Sequence, residues 1–284
     1  RSAFQSCESL ASVKLSEGLM TISDNAFQNI SVSEITFPNT LKKIGAHAFE
    51  DCNNITTIVI PEGVETIGEY AFSYIWKLSK LELPASLKSI GRYVITYDSQ
   101  LETVVSRINN PSQVTIDENA FSQNLWNGST WEIKPSSATL YVPVGTKPNY
   151  EAITAWTQFA NIVEGELMET TDGVLRYSYL AGGNTATVIY DDSYMTLTNV
   201  VIPATITVKG TDYFVTAIGN NAFYECKNLQ SVTISDGITV IGNRAFEGVH
   251  DGDTEFTLPS TLTTIGENAF ISRSEERRVG KECR

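Results

Sequence analysis

The dipeptide Ala-Phe recurs eight times, beginning at Ala3, Ala26, Ala48, Ala71, Ala120, Ala222, Ala245 and Ala269, and it uses eight of the twelve phenylalanines. Successive starts lie 23, 22 and 23 residues apart, then 49 across a degenerate unit, and later 23 and 24. A period of this length is the mark of stacked repeats, in which a single unit cannot bury its apolar face and depends on its neighbours. Two further marks keep the same register. Ile-Gly precedes the dipeptide at Ile44-Gly45, Ile67-Gly68, Ile218-Gly219, Ile241-Gly242 and Ile265-Gly266, while Ile90-Gly91 leads to Val94-Ile95, where Ala-Phe has degenerated. An apolar residue followed by proline stands at Phe37-Pro38, Ile60-Pro61, Leu83-Pro84, Ile202-Pro203 and Leu258-Pro259.

The unit starting at Ala48 shows what each part does. Ile58-Val59-Ile60 is a short β-branched run, suited to one rung of a parallel sheet with Ile58 and Ile60 inward. Pro61 lacks the N–H that would prolong the ladder, so each rung stops at the same height. Val64 and Ile67 re-enter the core from the opposite wall, Gly68 serves a turn that needs positive φ or close approach, and Ala71-Phe72 closes the coil. The predicted fold class is a β-rich α/β solenoid with short parallel strands, arranged in two arrays.

These residues carry a family resemblance. The pattern Leu-x-x-Ile-x-Ile-Pro-x-x-Val-x-x-Ile-Gly-x-x-Ala-Phe-x-x-Cys resembles the BspA-like leucine-rich repeats of bacterial surface proteins, over Ala3 to Asn124 and again over Val200 to Ile271. The resemblance implies a secreted or surface-displayed binding module, because that family includes adhesins that hold host or matrix proteins. The segment from Ala138 to Glu164 is similar to the closing segment of such arrays. There Pro148 suits a first helical turn, and Tyr150, Ile153, Trp156 and Phe159 recur at helical spacing, as a cover for the last coil would.

The repeat marks vanish after Glu164 and return at Val200. Between them Leu175, Tyr177 and Tyr179 alternate up to Gly182-Gly183-Asn184, and Ala186, Val188 and Tyr190 alternate beyond it, which predicts a hairpin. The expected organisation is a first array with its closing segment over residues 1–165, then a hairpin cap with a second array over 166–272. The first array opens inside a repeat, so a covering segment upstream is expected. Residues 273–284 break register in mid-unit and resemble translated cloning-vector sequence, and are expected to lie outside the fold.

Chemistry is sparse. The net charge of -13 repels phosphate backbones and anionic lipid heads, so no nucleic-acid partner is expected. No run of eighteen apolar residues occurs, and neither a signal peptide nor an anchor is visible, so no membrane insertion is expected of this segment. His47 and His250 are the only histidines. His47 fills the slot before Ala that elsewhere holds Asn25, Tyr70, Asn119, Asn221, Arg244 and Asn268, a variable and therefore solvent-facing position. Cys7, Cys52 and Cys226 follow the repeat Ala by four residues, where Ile30 and Ile75 stand in other units, and are expected as free core thiols. Asp251, Asp253 and Glu255 alternate, but glycine is missing at the sixth position of a calcium loop, where Phe256 stands. Neither a dinucleotide fingerprint nor a phosphate-binding loop is present, so no cofactor, metal or enzymatic activity is expected.

Binding is expected on the concave face. There the outward row between paired core positions reads Lys14, Thr36, Val59, Glu82 and Val105, and the row one step earlier reads Ser12, Glu34, Thr57, Lys80 and Thr103. The candidate contact residues are Glu34, Thr36, Thr57, Val59, Lys80, Glu82 and Val105. Their mixture of small polar, aliphatic and paired charged groups suits a broad protein partner better than a small molecule. A second candidate is the aromatic crowd of Tyr70, Tyr74, Trp76, Tyr93, Tyr97, Trp126 and Trp131. The competing expectation is a passive spacer in a larger envelope protein.

Overall fold

The computed structural model describes residues 1–10, 12–97, 100–126, 131–249 and 254–271. The tail from Arg273, with Cys283, lies outside the described residues, as do His250, Asp251 and Asp253. The chain divides into two compact units, the first ending at Glu166 and the second starting at Leu167, each with its own apolar core. Both are solenoids built on short parallel strands, with little helix.

In the first unit the coils supply two ladders of rungs, one of which starts only at Thr57. Thr21–Ile22, Lys43–Ile44, Thr66–Ile67, Ser89–Ile90 and Thr115–Ile116 stack in parallel as one ladder. Most of these two-residue rungs turn their isoleucine inward and a hydroxyl or lysine outward. The second ladder runs through Thr57–Val59, Lys80–Leu83, Thr103–Ser106, Ser136–Val142 and Phe159–Glu164. Its alternation of exposed and buried positions is that of a one-sided sheet, with Ile58, Leu81, Val104 and Leu140 in the core. Gly68 owes its place to the second of its two predicted uses: a Cβ there would lie 2.4 Å from the backbone nitrogen of Ala46, so only glycine lets adjacent coils approach.

The turn around Ala-Phe is more regular than its variable sequence suggests. The residue before Ala lies in the left-handed region, with φ of 57° at Asn25, 55° at His47, 55° at Tyr70, 52° at Asn221 and 55° at Arg244. A second left-handed residue follows three positions after Ala, at Asn29, Asp51, Tyr74 and Glu225. This alternation turns every second N–H toward the next coil. Asn25, Phe27 and Asn29 donate to the carbonyls of Ala46, Ala48 and Glu50, and His47, Phe49 and Asp51 to those of Glu69, Ala71 and Ser73. The loop is therefore a third hydrogen-bonded ladder, and it satisfies buried backbone groups that a loose turn would leave unpaired. Inside it the rings of Phe4, Phe27, Phe49 and Phe72 stack in one column, with centroids 5.3, 5.3 and 5.8 Å apart.

The closing segment differs from its predicted form. Lys147–Glu151 is a single helical turn with Pro148 at its start, Trp156–Gln158 is a 3-10 turn, and Phe159 begins a strand. Parallel pairing with Ser136–Val142 wins over helical spacing, because the exposed sheet edge offers backbone partners that an isolated helix cannot. The four residues still turn to the end of the array. Trp156 and Phe159 each pack 4.9 Å from Phe121, and the Tyr150 hydroxyl bonds to Ser106 Oγ at 2.6 Å and the Ile108 carbonyl at 2.7 Å.

The second unit opens with the antiparallel strands Leu167–Thr171, Arg176–Leu180 and Thr185–Ile189. The hairpin between the last two pairs Tyr177 with Val188 and Tyr179 with Ala186, and its first strand has a further partner that the sequence pattern did not reveal. Thr185–Ile189 then pairs in parallel with Thr211–Ile218, which leads the rungs Val240–Ile241 and Thr264–Ile265. Asn199–Ile202, Ser231–Ile234 and Glu255–Thr257 form the other ladder. Phe223, Phe246 and Phe270 repeat the ring column, and Tyr194 stacks on its first member at 5.0 Å.

Cys52 and Cys226 are free and fully buried, but Cys7 is free and exposed, contrary to the expected core position. Among the described residues, the coil of Cys7 pairs only with the coil that holds Asp24, Ala26 and Gln28. The same circumstance leaves Phe4 46% exposed, whereas Phe49 and Phe72 are sealed.

Candidate functional site

The sheet register assembles the predicted rows. Thr57, Lys80, Thr103, Thr139 and Asn161 are successive partners in one row, and Val59, Glu82, Val105, Tyr141 and Val163 in the other. Val59 is 51% exposed and Thr57 is exposed beside it. Glu34 and Thr36 flank the buried Ile35 and point outward in the preceding coil, which has no strand there. Val105 is corrected: it is 9% exposed, because it stands between the longer Glu82 and Tyr141 and is shielded from solvent. The rows also run on through Thr139, Tyr141, Asn161 and Val163 of the closing segment, which sequence reasoning left out. The signal was present in Val142-Pro143, an apolar residue and proline that make Tyr141 the counterpart of Val59.

One charged cluster lies within these rows. Glu82 accepts from Lys80 Nζ and from Arg107 Nη2, both at 2.8 Å. Burial works to raise the Glu82 carboxyl, but the hydrogen bonds and charges of these two cations hold it below the usual carboxylate range. Arg107, in the slot that Pro61 and Pro84 fill in the two preceding coils, was not among the predicted contacts.

The aromatic candidates form columns rather than a flat platform. His47 stacks on Tyr70 at 5.0 Å and Tyr70 on Tyr93 at 5.4 Å, with the Arg92 guanidinium 4.5 Å over the Tyr93 ring. Tyr74 stacks on Tyr97 at 4.2 Å. Rings stacked on one another offer their edges to solvent, and only Trp76 of the described members is widely open, at 60% exposure. The side chains of Trp126 and Trp131 lie outside the described residues. His47 is not fully solvent-facing: its side chain is 31% exposed, and Nδ1 lies 2.9 Å from Glu50 Oε2. It therefore meets the Glu50 carboxylate on one side and the face of the Tyr70 ring on the other.

Among the described residues no group of three or more His, Cys, Asp and Glu side chains is placed to hold a metal ion, and no helix is long and apolar enough to cross a membrane. No curated protein matches the chain significantly. Similar solved structures include a leucine rich cell surface protein from Faecalibacterium prausnitzii A2-165, 21% identical, covering 92% of this chain and 71% of that one with a TM-score of 0.37. A leucine-rich repeat protein from Bacteroides ovatus is 18% identical, over 95% of this chain and 72% of the other, with a TM-score of 0.34. The pneumococcal vaccine antigen PcpA is 16% identical over 87% of this chain and 64% of its own, with a TM-score of 0.34. The family model described as the BspA type leucine-rich repeat region matches six copies over residues 1–126 and 187–279. The chain, with its matching coil chemistry, belongs to the BspA-type leucine-rich repeat family.

Proposed function

We infer that the chain is a protein-interaction module displayed at a bacterial surface, and that the first unit holds its partner on the outward rows of the long ladder. The observation that carries this reading is the row pair itself. Thr57 and Val59 stay exposed on a sheet whose opposite face is sealed core, and the strand register carries the rows over five strands, with Val105 shielded among them. A surface of aliphatic, hydroxyl and pre-paired charged groups suits a broad protein contact better than a small molecule. Membership of the repeat family supports the interaction role, and the partner class is a host or matrix protein.

The test uses immobilised extracellular-matrix proteins and the purified chain. Substituting Thr57, Val59 and Lys80 together with glutamate should abolish capture while the far-ultraviolet circular dichroism stays unchanged. Capture that survives the triple change moves the site to the exposed Trp76. A chain that binds none of the panel, in either form, favours the spacer role.

A further inference from the structure

We propose that Arg107 is the anchor of this face, and that the partner meets it with a carboxylate set beside an apolar side chain. This rests on the interaction reading and names the chemistry of the partner. The Arg107 side chain is 52% exposed, whereas Lys80 and Glu82 are 19% and 13% exposed, so the charge that the cluster offers to solvent is positive. Among the described residues only Nη2 is engaged, and it gives one of its two N–H groups to Glu82 Oε2. The second Nη2 N–H runs parallel to an N–H of the nitrogen that shares its edge, Nη1 or Nε, and that pair matches the two oxygens of a carboxylate.

The surroundings fit the same partner. Arg107 places an exposed positive charge on a chain whose net charge is -13. An acidic segment is repelled elsewhere and compensated here, so the surrounding field selects the register as well as the partner. Glu82 keeps Lys80 when Arg107 takes a second carboxylate, so forming the new pair leaves no buried charge stranded. The exposed Val59, in register beside Glu82, supplies the apolar contact, and arginine with an adjoining apolar group is the composition found at the centre of protein interfaces.

A random dodecapeptide phage library panned on the immobilised full chain tests this. The selected peptides should be enriched in Asp or Glu next to an aliphatic or aromatic residue. A synthetic copy should bind Arg107→Glu at least tenfold more weakly than the original chain, with Arg107→Lys between the two. Should Arg107→Glu lower the melting temperature, Arg107→Gln carries the comparison. Peptides that are lost on Val59→Glu but indifferent to Arg107, or that lack acidic residues, overturn the carboxylate proposal and leave the interaction reading standing. Peptides indifferent to both substitutions sink both.

Discussion

At the residue scale, position within the coil outweighs residue type. Phe72 sits fully buried in the ring column, so Phe72→Ala should cost about 3–5 kcal/mol, as large-to-small core changes do. His47→Ala removes only a half-exposed stack and a carboxylate contact and should cost about 1 kcal/mol. Urea titration of both variants checks the ratio, and equal losses would overturn the assigned register. The cysteines divide by the same logic. Burial pushes the Cys52 and Cys226 thiols up to about 12, so thiolate is suppressed in the fold at neutral pH. Peptide mapping after iodoacetamide at pH 8 should find label on exposed Cys7, and on Cys52 and Cys226 only after denaturation. Because the folded values are raised, this contribution to stability is fully present below the ordinary thiol value of 9.0 and is lost as pH rises toward about 12. Chemical-denaturation midpoints measured across that interval should fall less for a Cys52→Ile variant, since isoleucine fills the same slot at Ile30 and Ile75.

At the scale of the coil, the tightest constraint is backbone against backbone. A methyl group on Gly68 would meet the Ala46 nitrogen at 2.4 Å, and a main chain fixed by two ladders cannot step aside. Gly68→Ala should therefore cost at least about 3 kcal/mol, whereas Gly145→Ala meets open space and should cost less, limited by its φ of 82°. Thermal melts of the two variants compare them directly, and equal shifts would mean that the coils do not pack as closely as described. The Ile-Gly, Pro and Ala-Phe marks made this much of the coil legible, since each answers to a single steric demand. The left-handed slots were not legible in the same way. Asn25 and Asn221 hint at them, but His47, Tyr70 and Arg244 occupy the same conformation because three inter-coil hydrogen bonds compel it, and a forced backbone leaves no signature in residue type. The closing strand was hidden for a related reason. Its apolar spacing fits a helix equally well, and only the partner edge at Ser136–Val142 decides between them. At the candidate face, alternation revealed which side chains point outward, but Arg107 reaches Glu82 from the next coil, a contact that no count along one strand contains.

At the scale of the whole chain, stability should be divided as the apolar cores are. One core gathers Ile22 through Phe159 and the other Leu175 through Ala269, and the two share no residue. Within each, the coils are coupled through parallel ladders and a stacked ring column, so each array should unfold as a nearest-neighbour cooperative block. Differential scanning calorimetry should then resolve two transitions. Phe72→Ala should lower one of them by several degrees and leave the other in place, and Phe246→Ala should do the reverse, because each ring is sealed within its own core. A single transition that both substitutions shift equally would show that the two cores melt as one cooperative system. In that case the separation of the cores would have no energetic counterpart, and a change in either array would be felt at the candidate rows of the first.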